Sequence, residues 1–544
     1  MASAELQQRL ERFGQEHLIQ FWDDLDSAQR SALAAQIDGI DFELVQNLLQ
    51  SDAETVDWAS MAERAEPPSS VRADGTGADW SVQDAIDRGQ QAIAEGKIGM
   101  ILVAGGQGSR LGYDKPKGMY PIGPLSGRML FQMQADRLRA ISNRYGVMIP
   151  MYIMTSPATH EDTLETIGAQ SNFGLRSDQV NVFCQGVMPA VDRETGKLLL
   201  ESKASLALSP DGHGGTVAAF EKSGCLSDAA GRGIEHLCYA QIDNPLANPC
   251  DASLIGHHLF ADSDMTTQVV RKREPLEKVG NVVNIDGSVR IIEYIHLPED
   301  IARQSNEDGS LKLWAGNIAI HLFRLDFLRE AVTQSERLPF NQAIKRVPFV
   351  GTDGELVEPD APNAIKFERF IFDLLPAARN AFVVEALGSE VFAPVKNADG
   401  SPSDTPEHAR RAISDLHRSW LTDAGAAVAD DVTVEIHPCW AENAREVADR
   451  VESGMTISSD RYFDEDPADN ELEIVTRCNN STQAEILRVQ LGDEGILCFL
   501  QGTNSGLALA DVGVPSKGIP VRVRRRDLAR AKAFLKSESD SSGN

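Results

Sequence analysis

The feature that most limits what this chain can fold into is a short apolar run that ends in glycines. Ile98 to Ala104 has the length and composition of a strand buried on both faces. It leads straight into Gly105-Gly-Gln-Gly-Ser-Arg-Leu-Gly-Tyr-Asp-Lys-Pro-Lys-Gly118. Glycines in such a loop let the backbone turn sharply and bring bare N–H groups against a ligand, which suits phosphate oxygens. Arg110, Lys115 and Lys117 then place three cations within eight residues. Strand, glycines and cations in that order predict a polyphosphate site. A Walker A loop is excluded, because no Gly-Lys-Ser/Thr follows at the required spacing. A dinucleotide fingerprint starting at Gly106 fails at Leu111, where it needs glycine. The plain alternative, a glycine-rich turn with solvated charges, loses weight only through the segments downstream.

Charge sharpens the problem this loop has to solve. The 544 residues carry 52 Lys and Arg against 81 Asp and Glu, a net charge of −29. That balance argues against nucleic-acid binding, which needs a surplus of cations. An anionic substrate therefore requires a locally positive site built against the field of the whole chain. No run approaches the roughly 18 apolar residues that span a bilayer, so no membrane partner is expected. Met1 to Arg12 lacks the basic head and apolar core of a signal peptide. Seven cysteines, at 184, 225, 238, 250, 439, 478 and 498, are scattered without a C-x-x-C pair. Neither a disulfide framework nor a zinc ribbon follows, and a cytoplasmic address is expected.

Hydrophobic patterning divides the chain. Residues 1–95 read as a helical N-terminal domain and linker: Leu18, Ile19, Phe21, Trp22 and Leu25 share one helical stripe, and Asp26-Ser27 caps a helix carrying Leu33, Ile37 and Ile40. Glu66 to Asp79 is rich in Pro, Ser and Gly and reads as a linker, followed by a helix from Val82 to Glu95. Over 96–403, strands expected at 148–155, 180–183, 236–242, 267–271, 280–285 and 381–385 alternate with helices, predicting a mostly parallel sheet wrapped by helices. Asp404 is expected to cap a helix reaching about Leu421, and 404–470 ends in an acidic linker from Asp460 to Glu471. Residues 471–537 read as a small α+β module, and 538–544 as a disordered tail.

The glycine loop resembles the G-G-Q-G-S-R-L-G-x-x-x-P-K-G signature of the UTP-dependent sugar-1-phosphate uridylyltransferases, and within them the UDP-N-acetylhexosamine pyrophosphorylases. Further strings of that family recur in order from Gly14 to about residue 420. They include G-Q-E-H-L-I-Q-F-W (14–22), Q-G-V-M-P-A-V (185–191), S-P-D-G-H-G-G (209–215) and I-D-N-P-L (242–246). Later come V-x-x-x-D-G-S-V-R-I-I-E-Y (282–294), A-G-N-I-A-I-H (315–321), I-K-F-E-R-F-I-F-D (365–373) and F-A-P-V-K-N-A-D-G (392–400). The resemblance implies an α/β fold with a Rossmann-like, mixed nucleotide-binding sheet flanked by helices, beside the helical N-terminal domain and the α+β module.

It also implies roles. Gly105 and Gly106 would meet the nucleotide through their backbone. Arg110, Lys117 and Lys396 would be the catalytic cations gripping phosphate, whereas Lys115 could equally be solvated surface. Gln185 would read a uracil edge, since an amide offers both a donor and an acceptor. Gly212 and Gly214 would be contacts, with His213 standing where the family usually has Asn. Asp243 would be a substrate contact and the carboxylate coordinating Mg²⁺ on the nucleotide phosphates. Glu293, Tyr294 and Asn317 would meet the sugar hydroxyls and N-acetyl group.

The implied partners are UTP and a sugar-1-phosphate, most simply N-acetylglucosamine-1-phosphate, with glucose-1-phosphate or a broader set of sugars as the near alternative. A sugar phosphate is largely ionised near neutral pH, its second pKa being about 6, so no general base is required. A different class of reading is a catalytically silent nucleotide-sugar sensor that signals through its C-terminal module. That module, with V-T-R-C and V-R-V-R-R-R-D-L, is similar to a small bacterial domain of proposed signalling function. Its basic strand, with Val521 and Val523 alternating with Arg522 and Arg524, reads as a solvated sheet edge or a surface for an unknown partner.

Overall fold

The apolar runs of the sequence become strands in two different sheet environments. The computed structural model describes residues 2–50, 57–333, 338–464, 472–494, 496, 498–500 and 518–541. The chain divides into two units. The first comprises Met1–Asp79, Phe183–Glu235 and His258–Glu385, and the second Trp80–Val182, His236–His257 and Ala386–Asn544.

In the second unit, Ile98–Val103 lies between Met151–Thr155 and His236–Gln241 and runs parallel to both. Met100, Ile101, Leu102, Ile153, Leu237 and Cys238 are all buried, which is why these strands read as continuous apolar runs and not as alternation. Val103 sits opposite Gln241. Parallel pairing in that register brings the glycine loop and Asp243 out at the same carboxyl edge, where open α/β sheets bind ligands. Two helices, Val82–Ala94 and Ala252–Phe260, touch backbone to backbone: a Cβ on Gly89 would lie 1.8 Å from the Ala252 carbonyl oxygen, and one on Gly256 1.7 Å from that of Ala85.

The first unit is antiparallel where the sequence suggested a mostly parallel sheet. Its strands run in the order Ser288–Ile292, Asn281–Ile285, Ala315–Arg324, Met265–Arg271, Phe382–Ala386. The first four are joined by antiparallel pairing. Asp286-Gly287, both at positive φ, make the tight turn of the first hairpin.

The helical N-terminus is not a body of its own. Leu6, Leu10, Leu33, Ile37, Phe42 and Val45 share one buried cluster with Met188, Val191, Leu198, Leu206 and Phe367, because short amphipathic helices need another surface to cover their apolar stripe. Asp26 caps Ser27–Asp38 through a capping box with Gln29. The stripe from Leu18 to Leu25 is broken into two 3₁₀ turns, Glu16–Ile19 and Trp22–Asp24. The Pro- and Gly-rich stretch after Glu66 is not a free linker. Glu66 bridges to Asn284 and Val71 to Val384, while Arg72 lies 2.8 Å from Glu385 and stacks 4.0 Å from the Trp314 ring centroid.

Beyond residue 404, Thr405 and not Asp404 caps the helix Pro406–Asp423, because Asp404 takes a positive φ of 58° and leaves the next side chain to accept from His408 N–H. Two short parallel ladders follow, Ala427–Val428 with Thr456–Ile457 and Val434–Ile436 with Arg461–Phe463. The acidic linker is thus a strand at its start, while residues 465–471 lie outside the described residues.

The C-terminal module contains Leu472–Cys478, Ser481–Asp493, Cys498–Leu500, Ile519–Arg524 and Leu528–Ser541. Ile519–Arg524 is the middle strand, antiparallel to both neighbours, so the basic strand is not a sheet edge. Val521 and Val523 enter the core and carry the strand inward. The last helix extends through residues 538–541, where a disordered tail was expected, since elongating an anchored helix avoids the cost of nucleation. Residues 542–544 lie outside the described residues.

Gly89→Ala and Gly256→Ala are each expected to destabilise the protein by about 1–3 kcal/mol, because the added methyl meets backbone that can only move by separating two helices. Denaturant midpoints of the two variants against the parent check this, and an unchanged midpoint in both would refute the close crossing.

Candidate functional site

The loop after Ile98–Val103 is fastened to its own strand layer before it offers anything to a ligand. The Gly105 carbonyl accepts the Ser156 hydroxyl at 2.7 Å, and the Gly106 carbonyl accepts the Lys117 N–H at 3.0 Å. Gly108 is required by packing: a Cβ there would lie 2.8 Å from the Tyr113 ring and from the Lys115 carbonyl oxygen. Gly106 is different. It is exposed, and a Cβ there would meet no protein atom within 4 Å. Its lack of a side chain answers to no neighbour in the protein and leaves room for a ligand to approach the backbone.

Lys117 opens a single 3₁₀ turn, Lys117–Met119, and its Nζ lies 3.8 Å from Asp243 Oδ2, both side chains being 16% exposed. Burial lowers the Lys117 pKa from the usual lysine value. Asp243 opposes that shift, while the charges of Lys396 and Arg110 add to it. Arg110, Lys396 and Asp243 therefore each lie within electrostatic reach of Lys117. Arg110 is exposed on the turn Ser109–Leu111, and Lys115 is exposed as well.

The Lys396 segment is tied to the Asp243 loop through main chain and one buried amide. Val395 N–H donates to the Asp243 carbonyl at 2.7 Å. Asn244 donates through Nδ2 to the Val391 carbonyl at 2.7 Å and accepts the Ala393 N–H at 3.1 Å. Lys396 and Asn397 N–H groups both donate to the Asp404 carbonyl, at 2.7 and 3.0 Å. Asn244 lies in the I-D-N-P-L string, yet only its 147-residue reach to Val391 shows what it does.

A divalent ion at this place would have Asp243 as its protein ligand. Among the described residues no group of three or more His, Cys, Asp or Glu side chains could hold a metal. That donor set does not suit Zn²⁺. It does suit Mg²⁺, which takes one or two carboxylates and completes its shell with phosphates and water.

The remaining candidate residues lie in the first unit. Gln185 is buried to 8% exposure just after Val180–Cys184. The S-P-D-G-H-G-G loop packs onto Arg369. Asp211 binds the Arg369 guanidinium at 2.5 Å, and Gly214 N–H donates to the Arg369 carbonyl at 2.7 Å. A Cβ on Gly212, where φ is 84°, would lie 2.4 Å from that same carbonyl oxygen. These glycines, expected as ligand contacts, are required by the protein's own packing, and the Gly214 N–H already has a partner.

His213 lies against Phe370 and Phe372, 5.5 Å from each ring centroid, and its Nδ1 accepts the Ile371 N–H at 3.2 Å. Burial pushes its pKa down to about 4, so near neutral pH the ring is uncharged and its proton sits on Nε2.

Glu293 and Asn317 flank the same backbone. A Cβ on Gly280 would lie 3.1 Å from Glu293 Oε1 and 3.7 Å from Asn317 Cβ. Asn317 sits at a bulge in Ala315–Arg324, with Ala319 at a φ of 56° and its N–H donating to Asn317 Oδ1 at 3.1 Å. The bulge re-aims the strand at that point. Tyr294 is 42% exposed in the adjoining turn. Behind them Lys272, buried, donates to Asn281 Oδ1 at 2.6 Å, and the Asn281 amide donates to the Ile292 carbonyl at 3.3 Å. Asp211 and Arg369 lie inside the S-P-D-G-H-G-G and I-K-F-E-R-F-I-F-D strings, but neither their pairing nor the role of Asn281 was distinguishable in sequence.

The chain is similar to known proteins over most of its length. A family model described as UTP--glucose-1-phosphate uridylyltransferase matches residues 41–404. A UDP-N-acetylhexosamine pyrophosphorylase-like protein 1 from Xenopus tropicalis is 38% identical over 78% of this chain and 85% of its own length. UDP-N-acetylglucosamine diphosphorylase 2 from Arabidopsis thaliana is 35% identical over 80% of this chain and 88% of its own. The crystal structure of a uridine diphosphate N-acetylglucosamine pyrophosphorylase from Trypanosoma brucei, in complex with inhibitor, superposes with a TM-score of 0.71 at 25% identity, covering 84% of this chain and 99% of that one.

Asn244→Ala would leave the Val391 carbonyl and the Ala393 N–H without their partner, a loss of about 1–3 kcal/mol each where the group stays buried. Hydrogen exchange at Ala393 and Val395 is expected to accelerate in the variant. Protection equal to the parent at both amides would show that the amide clamp does not hold this segment.

Proposed function

This chain belongs to the UTP--glucose-1-phosphate uridylyltransferase family, and on that premise we propose that it transfers uridylyl from UTP to N-acetylglucosamine-1-phosphate and releases pyrophosphate. The protein is a nucleotidyltransferase by family and by its named relatives. The observation that carries the reaction is the Lys117–Asp243 pair at 3.8 Å with Lys396 and Arg110 acting on the same lysine. A silent sensor would need to recognise a nucleotide sugar but has no use for so many fixed cations at one point.

In this reading Lys117, Arg110 and Lys396 orient the triphosphate and take up charge that develops as pyrophosphate departs. Asp243 would hold Mg²⁺, whose contribution when bound is to neutralise and bridge phosphate oxygens. The Gly106 backbone lies open for close approach of the nucleotide. Gln185 reads uracil, and Glu293 and Asn317, with Tyr294 beside them, meet the sugar. No side chain has to remove a proton from the acceptor, since the attacking phosphate oxygen is already ionised.

The choice of N-acetylglucosamine-1-phosphate over glucose-1-phosphate follows the names of the relatives. A cytoplasmic address is the default for a chain whose cysteines are scattered without a C-x-x-C pair and imply no disulfide framework. Among the described residues no helix is long and apolar enough to cross a membrane.

Pyrophosphate release with UTP, Mg²⁺ and the two sugar phosphates in competition tests the proposal. Preferential consumption of N-acetylglucosamine-1-phosphate is expected, and exclusive use of glucose-1-phosphate would overturn the acceptor. UTP binding without any product would favour the sensor.

Lys117→Ala and Arg110→Ala should each raise the barrier by about 2–4 kcal/mol, the scale of one preorganised charge contact. Parental turnover in either variant removes that residue from the mechanism.

Because its pKa is lowered, Lys117 loses its charge on raising the pH sooner than an exposed lysine does. The alkaline limb of kcat/KM should therefore fall below the ordinary lysine range, and Lys117→Arg should flatten it, since a guanidinium does not titrate there. A limb unchanged in Lys117→Arg would assign the titration to another group.

A further inference from the structure

Gly118 ends the P-K-G string of the phosphate loop, and nothing in the phosphate chemistry requires it to be glycine. It is buried and takes no positive φ, so neither the approach of a ligand nor a left-handed backbone calls for it. Its neighbour does. A Cβ on Gly118 would overlap Cε2 and Cζ of Phe131, so the end of that ring occupies the place of a side chain. Gly118 is the middle residue of Lys117–Met119, the turn that brings Lys117 Nζ to 3.8 Å from Asp243. Phe131 stands in the first turn of Leu130–Tyr145 and is fully buried.

A strained piece of backbone keeps the Phe131 ring in place. Phe173, itself buried, stacks on it with ring centroids 5.8 Å apart and planes at 20°. It comes from the turn Ser171–Gly174, where three successive residues other than glycine take positive φ: Ser171 at 48°, Asn172 at 54° and Phe173 at 56°. The other such residues among those described, Asp262, Asp286, Ala319, Asn380 and Asp404, occur singly. Positive φ is uncommon outside glycine, and for a bulky side chain it is an outlier. Such strain persists only where the surroundings over-determine it, and it gathers where geometry matters to function. Two bonds fix the segment from its flanks. The Phe173 carbonyl accepts Gln132 Nε2 at 3.1 Å, and Thr166 Oγ1, on the preceding helix His160–Ala169, donates to Met119 Sδ at 3.5 Å.

We propose that Phe173, presented by the left-handed turn Ser171–Gly174, is a positioning residue that fixes Lys117 beside Asp243 by pinning the Phe131 ring against Gly118. The inference rests on the uridylyl transfer proposed above, in which Lys117 orients the triphosphate. Phe173 touches no substrate. Without its ring, Phe131 is free to leave Gly118, and the Lys117–Met119 turn relaxes into the vacated space. The lysine then loses its fixed place, and a small misplacement of an orienting group is expensive in rate. Glu293, Tyr294 and Asn317, assigned to the sugar, belong to other strands and turns and are unaffected.

The test uses three variants of the full chain. Phe173→Leu removes the ring, and Asn172→Val keeps both rings but puts a β-branched residue where φ must be positive. Asn172→Gly adopts that φ without strain and is the conservative control. The first two should each lower kcat on the order of tenfold while KM for N-acetylglucosamine-1-phosphate stays within about twofold. Asn172→Gly should keep the parental kcat. Hydrogen exchange without substrate should accelerate in the first two variants at Met119 and Tyr120, whose N–H groups bond to Pro116 and Lys117 carbonyls. Met100 and Ala104, bonded to the Pro150 and Met154 carbonyls, should keep parental protection. A folded Phe173→Leu protein with parental kcat overturns the proposal. So does exchange that rises equally at all four amides, which would mean a loss of stability alone. A parent that makes no UDP-sugar refutes the transfer instead, and the exchange pattern still decides whether Phe173 holds the turn. Should Phe173→Leu fail to fold, Asn172→Val against Asn172→Gly decides.

Discussion

The parallel pairing of Ile98–Val103 with His236–Gln241 is the constraint on which the rest of the phosphate site depends. Register alone brings two distant stretches of sequence to one sheet edge, with Val103 opposite Gln241. From there a glycine loop returns Lys117 toward Asp243, and the Val395 N–H bond to the Asp243 carbonyl draws in the segment that carries Lys396. A slip of one residue in that pairing would turn alternate side chains to the opposite face and separate these groups.

The electrostatic consequence is a small cationic site in a strongly acidic protein. Burial is the largest cause of the lowered Lys117 pKa, Asp243 opposes it, and Lys396 and Arg110 add to it. A bound polyphosphate would oppose it further, and the free protein already holds cations near where a polyanion would need them. Such a site can accelerate transfer to an ionised acceptor through alignment and charge alone, without a catalytic His or Cys.

What the sequence made legible follows from how local each signal is. Buried parallel strands announce themselves as unbroken apolar runs, and Asp26 with Gln29 is a capping box readable within four residues. The antiparallel half of the sheet was misread because Met265–Arg271 and Ala315–Arg324 are buried along most of their length, as the parallel strands are, and strand direction leaves no mark on composition. The segment after Glu66 has the residues of a linker, yet its backbone bonds to strands more than 200 positions away, at Asn284 and Val383. The basic strand at 519–524 alternates as an edge strand would, but pairs on both sides. Asn244, Asn281 and Arg369 were invisible for the same reason: each acts through a partner that only the fold brings near.

The glycines show how identical residues carry different arguments. Gly89 and Gly256 are there for a helix crossing, Gly108 and Gly212 for loops folded against their own carbonyls, and Gly106 for nothing within the protein. The last leaves the backbone of the phosphate loop open to approach. The same distinction explains His213. Where the resemblance implies an amide, the ring here is buried against Phe370 and Phe372 and its Nδ1 serves the Ile371 backbone. A neutral imidazole in that setting retains one donor, Nε2–H, as an amide nitrogen would also have supplied. The substitution therefore keeps one donor while the aromatic pair takes over the packing, and the loop that holds it stays anchored through Asp211 and Arg369.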